Sequence, residues 1–359
     1  MKVGLVIYGS LNSLSGGYLY DRKLVEVLQK HGDEVEIISM PWRNYAYHLS
    51  DNFAAGWQKR FQNLDVDILL QDELNHPSLF LINEHIKGIV KYPLISIVHH
   101  LRWLEAHPPI LRWLYRQVER RYLRSVDGFV CNSQTTLRMI RMLVNEKKPA
   151  IVATPGGDAL PGGTSRANQN AYSHERPIQF IFVGNWIPRK GLDVLVSALG
   201  NLQSFNWCLM MVGRTDLNPS YQRKILKLIK RSGLSGRITI YGPLPDEQLV
   251  KVWQKADVLI VPSQYEGFGI VYLEAMRFGV IPVAGSNGAA GEIIQSGVNG
   301  FLVDPESPHE LSVILKNLLE EPQKIPALKQ AARKRYAQFP GWVESMSKVR
   351  SFLIHEFLS

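Results

Sequence analysis

Cysteine, long apolar runs and a leader segment are scarce or missing in this sequence, and each absence removes a class of protein. Only two of the 359 residues are cysteines, Cys131 and Cys208, and each lies inside an apolar run. We therefore predict buried free thiols in a reducing compartment, the cytoplasm, and not a disulfide framework. No stretch approaches the roughly 18 apolar residues that a membrane-spanning helix requires. Met1-Lys2 leads directly into VGLVIYG, so we also expect no signal peptide.

Two markers of a nucleotide-dependent oxidoreductase are also missing. Such enzymes carry G-x-G-x-x-G between the first strand and the first helix, and an acidic residue after the second strand. The sequence has no such glycine fingerprint, and its predicted second strand runs into Ser39-Met40-Pro41. An oxidoreductase therefore stays only as an alternative class. No nucleic-acid motif is present either, and we expect no nucleic-acid partner.

The positive charge of the chain is moderate and concentrated in one segment. The net charge is +9, and residues 102–148 hold ten Lys or Arg against four Asp or Glu. A predicted helix at 109–124 interleaves apolar residues with arginines, a pattern that can lie on anionic lipid. The alternative is that its apolar face packs on a sheet and its arginines face solvent. We expect at most a weak peripheral contact with the inner membrane surface.

Apolar strands and amphipathic helices alternate through both halves of the chain, which predicts βαβ units and parallel sheets. The length favours two domains. A polar stretch rich in Gly and Asn, 160–177, is the best linker candidate. The predicted strands are 3–8, 35–39, 68–70, 94–98 and 128–132 before it, and 179–183, 207–212, 237–241 and 258–261 after it.

The most informative segment is YEGFGIVYLEAMRFG, residues 265–279. The apolar run at 257–263 reads as a buried strand, and the residues after the glycine have helical spacing. Strand, tight turn and helix place the backbone N–H groups of Phe268, Gly269 and Ile270 at a helix N-terminus. A diphosphate suits such a position.

Two carboxylates lie eight positions apart in this segment, Glu266 at the mouth of the turn and Glu274 one turn inside the helix. Glu274 can accept hydrogen bonds from a vicinal diol such as a ribose, and Glu266 can meet the group attached to the diphosphate. Seen singly, Glu274 could be a solvated helix residue and Glu266 a partner of the helix dipole. Together they predict a nucleotide-sugar site.

The whole string resembles the Glu-x7-Glu signature of retaining GT-B glycosyltransferases, family 4 (glycosyl transferases group 1) in particular. The resemblance covers nearly the whole chain and implies an α/β fold of two Rossmann-like domains whose parallel sheets face a central cleft. It implies an acceptor-side domain at 1–165, a nucleotide-sugar-binding domain at 175–339, and a C-terminal helix at 340–359 that crosses back to the first domain. A helix that caps the second domain is the alternative.

In the second domain, the segment FVGNWIPRKG resembles the phosphate-binding region of the family, with Lys190 as its lysine. The family usually has arginine directly after the glycine, where this chain has Asn185; Arg189 could reach the same space. The resemblance also implies donor contacts at Arg214 and at the backbone near Leu244, which follow two further strands. As sequence features alone, these are ordinary turns.

In the first domain, Gly16 and Gly17 precede a helix and can present backbone N–H groups to a phosphate or an acceptor. The string ISIVHH resembles the family's strand that ends in a histidine contacting the donor sugar. His99 is therefore the candidate and His100 the second choice. A zinc site is not expected, because no cysteine or carboxylate lies at ligand spacing.

The resemblance implies a retaining transferase that moves a hexose-type sugar from UDP or GDP to a glycan, a lipid-linked acceptor or a small molecule, with no metal or cofactor. Asp65-Val66-Asp67 matches the metal motif of the other large glycosyltransferase fold, but it opens an apolar strand, and a turn is its ordinary interpretation. A non-catalytic nucleotide-sugar-binding subunit is the alternative that Asn185 favours.

Overall fold

The computed structural model describes residues 1–162 and 176–358. This part of the chain divides into two compact units, one formed by Met1–Pro155 with Pro340–Ser359 and the other by Gly156–Phe339. Most of the predicted linker at 160–177 lies outside the described residues.

The first unit is a six-stranded parallel sheet in the order β2-β1-β3-β4-β5-β6, with helices between the strands. Its central strands are buried at every position, which explains their continuous apolar runs. The strands are β1 Lys2–Tyr8, β2 Glu34–Met40, β3 Ile68–Asp72, β4 Leu94–Val98, β5 Gly128–Cys131 and β6 Ala150–Val152. The helices are α1 Gly16–Lys30, α2 Tyr45–Asp51, α3 Ala55–Gln62, α4 His76–Ile86, α5 Pro109–Ser125 and α6 Gln134–Val144.

The second unit repeats this architecture with a six-stranded parallel sheet in the order β12-β11-β10-β7-β8-β9. Its strands are β7 Ile178–Val183, β8 Trp207–Val212, β9 Ile238–Gly242, β10 Val258–Val261, β11 Ile281–Gly285 and β12 Phe301–Val303. Its helices are α7 Leu192–Gly200, α8 Pro219–Arg231, α9 Asp246–Lys255, α10 Ile270–Arg277, α11 Ala290–Ile293, α12 Pro308–Glu320 and α13 Ile325–Tyr336. The expected class of two Rossmann-like domains is confirmed.

The last helix, α14 (Trp342–Phe357), belongs to the first unit and packs on α1. Arg350 donates to both carboxylate oxygens of the buried Asp33, at 2.6 and 3.1 Å. The Ser345 hydroxyl donates to the Thr154 carbonyl at 2.5 Å. The chain therefore returns to its first domain at the end, and the alternative of a helix that caps the second domain is wrong.

Each sheet has one topological switch point, where the strand order reverses beside the first strand of the unit. In the first unit this point lies between β1 and β3, and in the second between β7 and β10. Ligands of open α/β sheets bind at the carboxyl ends of the strands at such points. Functional groups are therefore expected on the loops after β1 and β3 and on the loops after β7 and β10.

Two details differ from the sequence-based expectation. Strands β6, β11 and β12 were not predicted: β6 and β12 are only three residues long, and β11 contains Pro282. Cys131 is buried as predicted, but Cys208 is only partly buried; both are free thiols. Within the described ranges, no helix combines the length and the apolar character that crossing a membrane requires.

Candidate functional site

The loop after β10 ends in a glycine that permits a helix start with open N–H groups. Gly269 has a φ of 96°, and a Cβ atom there would lie 2.4 Å from the Tyr272 ring. Helix α10 begins at the next residue, and the Tyr272 hydroxyl fixes it to the β10 strand by donating to the Val261 carbonyl at 3.1 Å. The N–H groups of Phe268, Gly269 and Ile270 meet no acceptor among the described residues. Together with the helix dipole they can bind an anion.

The loop after β7 brings two cations to the same place. Lys190 Nζ lies 2.5 Å from Glu266 Oε1, and Arg189 lies 3.7 Å from Glu266 Oε2. Arg189 also donates to the Tyr265 carbonyl at 2.9 Å. At Gly191, φ is 69° and a Cβ atom would lie 2.3 Å from the Pro262 carbonyl oxygen, so the two loops touch through their backbones. The predicted residues Arg189, Lys190 and Glu266 are therefore one cluster at the point between β7 and β10.

Charge compensation in this cluster is strong because it is buried. Burial acts to raise the pKa of Glu266, which is 8% exposed, but Lys190 and Arg189 outweigh it and hold the pKa at about 2. Burial lowers the pKa of Lys190, and Glu266 opposes that effect. The free protein thus satisfies its two cations with its own carboxylate.

Glu274 on α10 is in the opposite situation. Its side chain is half-buried, and its carboxylate makes no hydrogen bond or ion pair with any described residue. Burial, with a smaller contribution from Asp246, raises the pKa of Glu274 to about 7. A half-buried carboxylate that makes no hydrogen bond to the protein is suited to a ligand that donates hydrogen bonds.

The other donor-site candidates of the second unit lie on neighbouring strand ends. The Arg214 guanidinium, after β8, binds Asp216 at 3.0 and 2.8 Å and is exposed. Leu244 is half-buried just beyond the end of β9. Asn185 is also half-buried after β7, where the family usually has arginine. None of these three contacts the cluster of Lys190 and Glu266 through a hydrogen bond that the described residues show.

In the first unit, a cavity of about 120 Å³ opens at the carboxyl ends of β1, β3 and β4. It lies at the point where the strand order changes. Gly17 and His99, two of the predicted residues, line it, and Gly16 begins helix α1 beside it. The lining residues are Ser15, Gly17, Tyr18, Asp72, Glu73, Leu74, His76, His99, His100, Arg102 and Glu105.

His99 is paired with a carboxylate that the sequence did not suggest. Its Nε2 lies 3.0 Å from Oδ1 of Asp21, a residue of α1 that is fully buried. Burial acts to lower the pKa of His99, but Asp21, Asp72 and Glu73 outweigh it and raise the pKa. Burial and the charge of Asp21 raise the pKa of Asp72 to about 7. His100, the second choice, instead lies 3.0 Å from Glu105.

A second buried group lies beside this pair and was missed by sequence reasoning. Glu73 and Glu119 are both buried, and burial raises the pKa of Glu73 to about 8. Glu119 accepts from the backbone N–H groups of Arg102 and Trp103. The signal that could have revealed Glu73 is its position directly after Asp72, where an apolar strand meets two acids.

Two sets of side chains are close enough to be considered for a metal ion. Within each set, the ligand atoms lie within 4.8 Å of one another. The first set is Asp21, Asp72 and His99, and the second is Glu73, His76 and Glu119. In the first set, His99 Nε2 is already used by Asp21. In the second, His76 Nδ1 binds the Glu73 carbonyl at 3.0 Å and Nε2 binds the Tyr45 hydroxyl at 3.1 Å. Internal hydrogen bonds therefore use part of each set, while Asp21 Oδ2 and Glu73 Oε1 have no hydrogen-bond partner among the described residues.

Two Rossmann-like units, the second with open N–H groups at the start of α10, are features that the resemblance to GT-B glycosyltransferases implied. Residues 165–335 match the family described as glycosyl transferases group 1. The second unit carries the sequence of this family, and the whole chain has the GT-B fold.

Individual relatives agree with this assignment. The D-inositol 3-phosphate glycosyltransferase of Rhodococcus jostii is 27% identical over 237 residues, which cover 63% of this chain and 52% of that protein. The chain thus spans about half the length of the curated relatives that it matches first.

Solved structures extend the likeness over the whole chain at the level of the fold. The sucrose-phosphate synthase of Thermosynechococcus elongatus superposes with a TM-score of 0.84 at 20% identity and 99% coverage of both chains. Anabaena HepE, in complex with UDP and glucose, has a TM-score of 0.76 at 20% identity, covering 99% of this chain and 100% of that one.

Proposed function

We propose that the protein is a retaining glycosyltransferase that moves a hexose-type sugar from a UDP-sugar or a GDP-sugar to a glycan, a lipid-linked acceptor or a small molecule. One observation carries the proposal: Glu274 is a half-buried carboxylate without a hydrogen-bond partner among the described residues, one turn inside the helix whose first N–H groups are open. A ribose diol and a diphosphate supply the missing donors and the missing anion together. Relatives named as glycosyltransferases, and the HepE structures with UDP, agree with this donor class.

In this mechanism the diphosphate binds the N–H groups of Phe268 and Ile270 and the cations Lys190 and Arg189. These groups stabilise the charge that develops on the leaving nucleotide, which is commonly the largest catalytic contribution. Because fixed cations and N–H groups supply this stabilisation, the proposed reaction needs no metal. Glu266 orients the sugar hydroxyls.

In the first unit, we propose that Gly16 and Gly17 present N–H groups to a phosphate or an acceptor and that His99 donates to the sugar. Retention of configuration then requires attack from the face that the nucleotide leaves. No side chain of the cluster is placed as a covalent nucleophile, which favours the front-face route over double displacement. We place this reaction in the cytoplasm, where nucleotide sugars are the available donors.

The first prediction concerns the donor. The melting temperature of the purified protein is measured in the presence of a chelator with UDP, GDP, ADP and their sugar conjugates. One of these compounds should raise it by several degrees, because a ligand that binds only the folded state stabilises that state. The nucleotide that does so names the base. The same panel with Lys190→Met should show little or no shift. A chain that responds to none of these compounds, or only after addition of a divalent cation, would contradict the proposed donor chemistry.

A non-catalytic nucleotide-sugar-binding subunit remains the second candidate, because Asn185 stands where the family has arginine. Both candidates bind the donor, so binding does not separate them. Slow release of free sugar from the donor does, since it requires leaving-group departure. Release by the wild type that is lost in Glu266→Ala supports the enzyme, whereas binding without release supports the subunit.

The structure adds a reason to propose peripheral contact with anionic membranes. The first two turns of helix α5 expose Ile110 (80%) and Trp113 (63%), and the only acidic residue of this helix, Glu119, is buried. The guanidinium groups of Arg112 and Arg116 lie 5.6 and 5.5 Å from the Trp103 ring. Exposed apolar residues flanked by arginines suit the headgroup region of an anionic bilayer.

This contact can be measured by sedimentation with vesicles of phosphatidylcholine with and without phosphatidylglycerol. The double variant Ile110→Asp, Trp113→Asp should reduce partition onto anionic vesicles at least about tenfold, because it removes apolar area and adds negative charge. Leu226→Asp is the matched control, since Leu226 is 43% exposed on the basic helix α8 of the other unit. Equal binding to neutral vesicles, or an unchanged double variant, would contradict the contact.

A further inference from the structure

The strongest feature that the proposed function does not yet use is the buried carboxylate behind His99. Asp21 lies on α1 with no exposed surface, yet its Oδ1 is 3.0 Å from His99 Nε2. Its second oxygen, Oδ2, is buried and has no hydrogen-bond partner among the described residues. A carboxylate so fully removed from water is costly unless a cation faces it. His99 and Asp72 both face it, and of these two only His99 can carry a positive charge.

The orientation of the His99 ring determines which nitrogen faces Asp21 and which is available to a ligand. With Nε2 turned to Asp21, the second nitrogen, Nδ1, makes no hydrogen bond within the described residues and belongs to a side chain that lines the cavity. The ring is held from the other side by the backbone, since a Cβ atom at Gly17 would lie 3.1 Å from His99 Cδ2. The Tyr20 ring lies edge-on to it with centroids 5.0 Å apart.

We propose that Asp21 is a positioning residue that keeps His99 doubly protonated, so that Nδ1–H donates into the cavity to an oxygen atom of the substrate. The groups that face His99 are Asp21 from α1, Asp72 from the end of β3 and Glu73 from the turn after it, all acidic. No base faces the ring from these elements. This inference rests on the proposed function, because the oxygen that receives the hydrogen bond belongs to the donor or the acceptor.

The pH dependence follows with a definite sign. The active form of His99 carries the extra proton, so transfer is lost as the pH rises through the pKa of His99. Asp21 raises that pKa, and its removal must move the alkaline limb of the kcat profile to lower pH. Asp21→Asn should therefore lower kcat about 10- to 100-fold at pH 8 and much less at pH 6, with KM for the donor nearly unchanged.

The test combines kinetics with a titration that needs no substrate. The Hε1 signal of His99, assigned by its loss in His99→Gln, is followed by NMR against pH in the wild type and in Asp21→Asn. We expect it to titrate at lower pH in the variant. Asp21→Glu keeps the charge and should restore most of the alkaline limb. Glu26→Gln, an acid-to-amide change at an exposed site of the same helix, is the matched control and should change neither profile.

Each outcome decides a separate point. An unchanged His99 titration in Asp21→Asn overturns the pairing. A shifted titration with an unshifted kcat profile overturns the positioning role. If Asp21→Asn does not fold, Asp72→Asn removes the second facing carboxylate and must also move both curves to lower pH. If the wild type transfers no sugar from any donor, the proposed function is wrong. The NMR titration then still decides whether Asp21 keeps His99 doubly protonated.

Discussion

Replacing Glu274 with glutamine is expected to weaken binding of the recognised nucleoside diphosphate about 100-fold at pH 8, measured by titration calorimetry. The carboxylate has no partner in the free protein, so its full hydrogen-bonding capacity is available to a ribose diol. A charge-assisted pair of hydrogen bonds is worth about 1.5–3 kcal/mol, which corresponds to ten- to hundredfold in affinity. Glu247→Gln, an exposed acid-to-amide change on the adjacent helix α9, should leave the affinity unchanged.

The same residue should make binding depend on pH. The pKa of Glu274 is raised to about 7 in the free protein, and only the carboxylate accepts both hydroxyls. Below pH 7, affinity should therefore fall up to about tenfold per pH unit more steeply in the wild type than in Glu274→Gln, where only the titration of the terminal phosphate remains. A variant that keeps the wild-type slope would mean that another group is titrating.

Stability of the free protein should change in the opposite direction. Because the folded-state pKa of Glu274 lies above its unfolded value, the stability linked to its proton is present at low pH and is lost as the pH rises through about 7. Glutamine avoids this loss, so Glu274→Gln should melt at a higher temperature than the wild type at pH 8 and show little difference at pH 5. Loss of both affinity and stability at pH 8 would instead mark Glu274 as a structural residue.

The loop proposed to bind the nucleotide could be recognised from the sequence because its features are local. Strand, glycine turn, helix and both carboxylates lie within about twenty consecutive residues, and turn geometry and helix spacing relate them directly. The ion pair between Lys190 and Glu266 could not be predicted, although both residues were named. They are 76 positions apart, and they meet because β7 and β10 are adjacent in the sheet.

The first-unit cavity was predicted only in part, for the same reason. Gly17 and His99 were visible as a helix start and a strand end. Asp21 lies inside an amphipathic helix, where its spacing resembles that of any polar residue, and Glu119 lies among arginines of α5. Only the order β1-β3-β4 brings these helices and strand ends together. Burial, which changes the chemistry of these acids, is a property of the assembled sheet and has no local sequence signal.

The charge compensation around Glu266 leads to the second large effect. Glu266→Gln is expected to bind the nucleoside diphosphate about tenfold more tightly than the wild type, and to transfer sugar at least about 100-fold more slowly. In the free protein the carboxylate lies 2.5 Å from Lys190 Nζ and 3.7 Å from Arg189, so an incoming diphosphate competes with it for both cations. The amide removes the competitor and, with it, the group that orients the sugar.

Calorimetry with the nucleoside diphosphate and an initial-rate assay with the nucleotide sugar measure the two effects separately. Glu266→Asp, which keeps the charge on a shorter side chain, is the matched control and should not bind more tightly. The gain should be larger at pH 7 than at pH 9, because burial lowers the pKa of Lys190 and the wild-type carboxylate opposes that loss. If Glu266→Gln instead loses affinity, as Lys190→Met is expected to, competition with the diphosphate is the wrong explanation. The Glu266 carboxylate would then hold Lys190 in the position in which it binds the diphosphate.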